Sequence, residues 1–413
     1  IFYYSKDLSV NFLGNTNNVG EPPLSRKDFY RFGGGFNNLN ARTGTSIDIS
    51  SDDAGITNLQ NNRAKSIDSH FGAYNFSYAP FETLEFSGFA IYSRAENILE
   101  ENNTRRYTVS NALEETSEYT TQENEQQNFK FTTEYNPNEN LQTEYNVLYK
   151  ISNQNEISDL TTISPRQDSR VPEQIGQYRQ QKPYSFNQEL RMYYTHNQDH
   201  IFSMEIQHLT QKEDPFYRAI KQFQPFGSIL NLNTNQERFN INQDREAKTD
   251  KIEGKLDYFY VVTPKANLNF TLGLTDVKQD FNSSIFQILD NNTQQSFSDN
   301  NLSNDVSFHF QDAYAALHYR FITGIFTFDP GITLHSYKTK TRQFRGMTEN
   351  SFGFFRPDFR ILIKFKDSET LRFVYRSTRQ FTDINNLAEG YIFRNYNSFF
   401  QGNPNLEAAT FNV

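Results

Sequence analysis

Along residues 141–151 apolar and polar side chains take turns. Leu141, Thr143, Tyr145, Val147, Tyr149 and Ile151 share one parity, while Gln142, Glu144, Asn146 and Lys150 hold the other. Side chains of a β-strand point alternately to its two faces, so this stretch predicts a strand with one apolar and one hydrophilic face. Before the turn at residues 136–140, Phe129, Phe131, Thr133 and Tyr135 repeat the pattern against Asn128, Lys130, Thr132 and Glu134. The predicted unit is a long two-faced hairpin.

The same pattern recurs along the chain. A first strand is predicted at residues 8–14, followed by a polar, Gly-rich stretch to about Lys65 and further strands at 69–78 and 84–92. Phe202, Met204 and Ile206 alternate with Ser203, Glu205 and Gln207; Leu268, Phe270, Leu272 and Leu274 alternate with Asn269, Thr271, Gly273 and Thr275. Phe359, Ile361, Ile363 and Phe365 oppose Arg360, Lys364 and Lys366, and Leu371, Phe373 and Tyr375 oppose Arg372 and Arg376. Short turns at 80–82, 136–140, 197–199, 263–265, 323–324 and 366–369 each carry the Pro, Gly, Asn or Asp that hairpins favour. They are 44 to 67 residues apart, which leaves room for two strands and a longer polar loop between consecutive turns. The expectation is roughly 13–14 strands of about 10 residues or more, about twice the usual length in soluble sheets.

A barrel of so many strands is too wide for side chains to fill. Its dry face then points outward, and the fold predicted is all-β: a transmembrane antiparallel β-barrel over residues 1–413 whose polar face lines a wet lumen. Tyr78, Phe81, Tyr135, Tyr194 and Phe321 fall beside the short turns, where an aromatic girdle would meet the membrane interface.

Composition agrees with strands that bury only one face. Tyr and Phe make up the whole 15% aromatic content, and Trp is absent. Mean hydropathy is nonetheless negative. A net charge of -9 leaves no electrostatic footprint for nucleic acid. Without cysteine there is no disulfide framework, thiolate metal site or Cys nucleophile. No run of about 18 apolar residues marks a transmembrane helix, which says nothing against a barrel. The chain opens at Ile1 and stops at Val413 as a segment begins, so a fragment of a larger barrel is expected.

Motifs for chemistry are few. The histidines, His70, His196, His200, His208, His309, His318 and His335, lack zincin spacing, and His196 and His200 straddle a turn. Asp52-Asp53 and Glu114-Glu115 read as loop acids, and Gly33-Gly34-Gly35 lacks the following Lys-Ser or Lys-Thr of a phosphate cradle. No catalytic residue, cofactor or metal is expected. The candidate ligand contacts are Phe216, Tyr217, Arg218, Phe223 and Phe226, within a loop read as residues 213–248 where rings alternate with cations. Such a loop could stack on sugars, siderophores or peptides, or pack against itself.

Near the C-terminus, Gly402-Asn403-Pro404-Asn405-Leu406 followed by Glu407 resembles a segment that precedes a barrel strand in TonB-dependent outer-membrane receptors, especially those of Bacteroidota. Residues 8–21, 59–65 and 381–387 likewise resemble barrel segments of flavobacterial receptors. The resemblance implies a 22-stranded barrel in the cell outer membrane, an N-terminal plug, and uptake of a siderophore, oligosaccharide or peptide driven by the TonB-ExbB-ExbD complex. Its partners would be outer-membrane lipid and, as in glycan-importing relatives, a surface lipoprotein. Plug and TonB box are not recognisable here, so the chain is expected to be the central barrel portion. The alternatives are a passive outer-membrane channel or secretion and assembly barrel, and a soluble surface β-sheet adhesin or enzyme.

Overall fold

The computed structural model describes residues 1–18, 44–47, 64–109, 111–163, 171–344, 346–366 and 368–412. The Gly33-Gly34-Gly35 run, Asp52-Asp53 and residues 59–63 lie outside them. In chain order the strands are β1 (Phe2–Tyr4), β2 (Leu8–Asn17), β3 (Thr45–Ile47), β4 (Ala64–Phe81), β5 (Leu84–Arg106), β6 (Leu113–Asn138) and β7 (Leu141–Ile163). Next come β8 (Glu173–Gln181), β9 (Tyr184–Thr195), β10 (His200–Glu213), β11 (Phe216–Lys221), β12 (Phe239–Thr263), β13 (Ala266–Ile288) and β14 (Gln294–Ser296). The last are β15 (Ser303–Thr323), β16 (Phe326–Gln343), β17 (Gly346–Lys366), β18 (Glu369–Phe381), β19 (Tyr391–Asn395), β20 (Ser398–Gln401) and β21 (Ala409–Asn412). Among the described residues there is no α-helix.

Successive long strands pair antiparallel, making one large meandering sheet from β2 through β18. β8 with β9, and β10 with β11, are halves of two further long strands. Each is interrupted at a proline, Pro183 and Pro215, which has no N–H to give the ladder. The gap is closed locally: the Lys182 N–H donates to Asp214 Oδ1 at 2.6 Å, and the Ser152 and Arg245 N–H groups donate to the carbonyls of Pro183 and Pro215.

The short turns fall where the sequence puts them, and Gly324 adopts a φ of 57° that only glycine enters at little cost. The strands reach well beyond the expected minimum of about ten residues. β4–β7, β12, β13 and β15–β17 run 18 to 26 residues. Much of what reads as polar loop is paired strand: β16 and β17 are joined by residues 344–345 alone, and residues 216–221 and 239–248 belong to β11 and β12. The ladder uses backbone groups, so it continues through polar sequence wherever a neighbouring strand is present.

Side-chain character changes along each strand. One face of β13 carries Leu268, Phe270, Leu272 and Leu274 near the short turn, then Asp276, Lys278, Asp280 and Asn282 beyond it. On β12 the change falls between Ile252 and Asp250, on β15 between Ala313 and Gln311, and on β16 between Leu334 and Ser336. Cross-strand pairing aligns these points: Leu274 opposes Ala313, Asp276 opposes Gln311, Leu334 opposes Phe355, and Ser336 opposes Gly353. Tyr92 and Arg94 on β5, beside Gly72 and His70 on β4, extend the boundary across the sheet. Below it lies a belt of apolar side chains that nothing among the described residues covers, with Leu274, Leu334 and Phe373 54%, 56% and 57% exposed.

The opposite face at belt height is polar. Lys251 lies 2.6 Å from Glu253, Lys255 is 3.0 Å from Asp257, and Arg191 is 2.9 Å from Glu189. Above the boundary the pattern inverts. There the bare face is polar, while Val277, Phe281 and Ile285 of β13 and Val306, Phe308 and Phe310 of β15 turn to the other face. On that covered face the chain after β18 packs against the sheet.

Candidate functional site

The covered face above the belt is built by residues 382–408. β19 and β20 form a small hairpin of their own, preceded by a 3-10 turn at Ile384–Leu387 that Asp383 caps by accepting from the Asn385 N–H. Ile384, Leu387, Ala388 and Ile392 join Phe308, Phe310, Tyr337 and Phe381 in one buried cluster. Phe393 enters a second with Tyr217, Ala219, Leu230, Phe239, Ile241 and Ile285. The Phe393 ring meets Tyr217 edge-on at 5.0 Å and lies 5.1 Å from Phe399, while Phe226 contacts Phe399 at 4.4 Å.

A buried backbone needs hydrogen-bond partners, and wall amides supply them. The Phe393 N–H donates to Gln243 Oε1 at 2.9 Å and the Gly390 N–H to Asn304 Oδ1 at 2.8 Å. Gln343 both donates to the Leu387 carbonyl and accepts from the Glu389 N–H. Two glycines permit the close approach. A Cβ on Gly390 would stand 2.2 Å from the Ser303 carbonyl oxygen, and one on Gly402 2.5 Å from that of Asn386.

The five candidate ligand contacts do not form one surface. Phe216, Tyr217 and Arg218 are successive residues of β11, so they alternate between faces. Phe216 and Arg218 stack on Tyr178, at 6.0 and 5.1 Å, on the bare side above the belt. Tyr217 lies on the covered side, only 2% exposed; its hydroxyl donates to Gln177 at 2.7 Å and the Arg179 guanidinium sits 5.0 Å over its ring. Burial pushes its phenol well above the ordinary range. Phe226 joins the Tyr217 cluster through Phe393 and Phe399, while Phe223 remains exposed on the 222–238 loop. The expectation of a ring-rich exposed loop is therefore corrected for Tyr217, and Phe216 and Arg218 are strand residues.

Gly402, Asn403, Pro404, Asn405 and Leu406 form a tight turn. The Gly402 and Asn403 N–H groups donate to the carbonyls of Ala388 and Asn386, Asn403 Oδ1 accepts from the Asn405 N–H, and Leu406 closes onto the Asn403 carbonyl. The Asn403 side chain thus has a local structural task, holding the turn at the end of the packed segment. Tyr396, at the tip of the hairpin, lies under the Lys221 ammonium at 5.4 Å, and its phenol is raised by burial first, then by Glu114 and Glu118.

Among the described residues five histidines stand beside aspartates: His70 with Asp68, His208 with Asp250, His309 with Asp276, His318 with Asp358, and His335 with Asp312. Among the described residues no group of three or more His, Asp or Glu could hold a metal ion.

A cavity of about 190 Å³ opens on the covered face beside the proline gap. Gln122, Gln154, Arg179, Tyr217 and Arg245 line it from the wall and Arg394 from β19. The sequence pattern gave no sign of this cavity, because its residues come from five strands and the returning hairpin. Compared with known proteins, the chain matches no family model, and no curated protein matches it.

Proposed function

We propose that the chain forms the barrel wall of an outer-membrane, TonB-dependent uptake receptor for a nutrient ligand. The belt carries this reading. Nine residues, as in 313–321, rise about 30 Å at about 3.3 Å each, and a strand tilt of about 40° reduces this to about 23 Å in height. That is close to the roughly 25 Å apolar band of membrane barrels. More than twenty large apolar side chains stand about half exposed in it. At roughly 80–100 Å² each they make on the order of 2,000 Å², against about 300–600 Å² for the largest patch of a soluble monomer.

The polar face supports the same orientation. In a soluble protein the apolar face would be covered and the charged face wet. Here Lys251, Glu253 and Asp257, and nearly all of Lys255, are buried on one face while the leucines and rings of the other face stand bare. Lipid outside and a wet lumen inside reconcile both faces. The receptor function draws on the resemblance of the Gly402–Leu406 segment, and the ligand would enter from the polar end, where residues 382–408 and the 222–238 loop meet.

Two experiments test this reading. The full-length protein from an outer-membrane fraction should migrate differently in SDS before and after boiling, because a closed hydrogen-bonded wall resists detergent. Recovery as a soluble protein with no shift would refute it. Reconstituted into liposomes, a plugged receptor should not admit glucose or raffinose, whereas a passive channel would produce swelling.

A further inference from the structure

At its polar boundary the apolar belt has a gap, over β4 and β5. Two adjacent rows of cross-strand partners define it: Phe12, Tyr74, Ala90 and Phe129 below, and Gly14, Gly72, Tyr92 and Gln127 above. An open cavity of about 310 Å³ results, walled by Phe12, Tyr74, Tyr92 and Phe129. Ala73 and Ile91, whose side chains turn to the opposite face, line its floor. The four rings are 40–49% exposed. One row lower the face is closed, because a Cβ on Gly88 would stand 3.0 Å from the Phe76 ring, whereas one on Gly72 meets nothing within 4 Å. Rings that border a void lack contacts that a guest would supply.

The rows above the cavity are charged. His70, Arg94 and Glu125 occupy the first, and Asp68, Glu96 and Glu123 the second. Arg94 lies 3.6 Å from Glu123, and His70 3.6 Å from Asp68. Gln127 donates to Glu125 at 3.4 Å, but Glu96 and Glu125 have no cationic partner among the described residues. Four carboxylates thus stand with one guanidinium and one imidazole. The excess is local, since above the boundary on β16 the bare face carries Lys338, Lys340 and Arg342.

We propose that this notch seats a membrane lipid with an ammonium head group, one acyl chain lying in the cavity and the ammonium reaching Glu96 and Glu125. The two halves of the site choose this occupant together. The cavity opens onto the belt, so its guest comes from the apolar phase that the belt faces. The surplus of carboxylate at its rim attracts a cation and repels a purely anionic head. A free amine lacks the chain that would fill the space between the rings. The proposal rests on the membrane reading of the belt and adds to it a fixed lipid position and a head-group preference.

The test is native mass spectrometry of the full-length protein in detergent micelles that hold equal amounts of phosphatidylethanolamine and phosphatidylglycerol with the same acyl chains. Phosphatidylethanolamine should be retained about fivefold over phosphatidylglycerol, the scale of one partly exposed ion pair. Gly72→Leu, which fills the notch where a Cβ meets nothing, should lower retention about tenfold, as when roughly two methylenes lose their burial. Glu96→Gln combined with Glu125→Gln should abolish the preference while lipid is still retained. Heat-modifiable migration checks that each variant folds.

The proposal is overturned if phosphatidylglycerol is retained as well as phosphatidylethanolamine, if Gly72→Leu leaves retention unchanged, or if the double glutamine variant keeps the preference. A heat-modifiable outer-membrane protein without the preference leaves the membrane reading standing without this site. A soluble protein with no mobility shift removes both.

Discussion

Leu272 offers the sharpest test of what the bare face meets. It is 47% exposed, opposes Leu256 on β12 and Ala315 on β15, and stands one row from Phe270 at mid-belt. In water, Leu272→Arg is a surface substitution worth within about 0.5 kcal/mol. In lipid, arginine near the bilayer midplane of a barrel costs about 2–4 kcal/mol. Asn282→Arg is the control, on the same strand and face but beyond the boundary and opposite Glu246 and Asp305, where an added cation should cost nothing measurable. The assay is reversible denaturant unfolding of the full-length protein in phospholipid vesicles. A gap of about 2 kcal/mol or more between the variants is expected, equivalent to about thirtyfold in the equilibrium constant. A gap under about 1 kcal/mol would show that the belt does not face hydrocarbon, and the membrane reading would fall with it.

Other residues test the covered face. Phe393→Ala removes a fully buried ring from the cluster with Tyr217 and should loosen the hairpin by about 3–5 kcal/mol. Hydrogen exchange should then rise across residues 391–401 while β13 keeps its protection. Gly402→Ala places a Cβ 2.5 Å from the Asn386 carbonyl oxygen and should cost about 1–3 kcal/mol, read as earlier proteolysis within residues 382–408. Tyr396 has a folded pKa raised above its ordinary value by burial. Its contribution is fully present below the unfolded tyrosine pKa of about 10 and is lost as pH rises through the folded value. Proteolysis of the hairpin should therefore accelerate above about pH 10, and Tyr396→Phe should flatten that dependence.

What was legible in the sequence is what period two can encode. The alternation of Leu268 to Leu274, the turns at 139–140, 264–265 and 324–325, and the antiparallel order all follow from side-chain parity and turn residues. Strand length was not legible. Above the boundary Asp276, Lys278 and Asp280 are as polar as a loop, and only the neighbouring strand shows that their backbone is paired. Nor was the covered face. Gln243 and Asn304 hold the backbone of Phe393 and Gly390, yet nothing local separates them from amides that face water. Tyr217 read as an exposed loop ring because its partner, Phe393, lies far along the chain.

The inversion along each strand also explains why residues 382–408 pack where they do. At belt height the apolar face is the bare one, so the opposite face offers charge and no place for Phe393. Beyond the boundary the bare face turns polar, and apolar residues appear on the covered face as Val277, Phe281 and Phe310. That apolar surface needs a cover, and the returning segment provides it with its backbone bonded to side-chain amides of the sheet. β18 shows the same logic at the sheet's edge. Leu371, Phe373 and Tyr375 continue the belt while residues 369–376 pair with β17 alone among the described residues; from Ser377 onward the strand turns to β21 and β3. An unpaired N–H or C=O in hydrocarbon costs several kcal/mol, so an edge at belt height cannot stand open in lipid. The membrane reading therefore requires a further strand along residues 369–376. Amide-exchange protection of those residues in the full-length protein, beyond what β17 alone can give, is the mark of that closure.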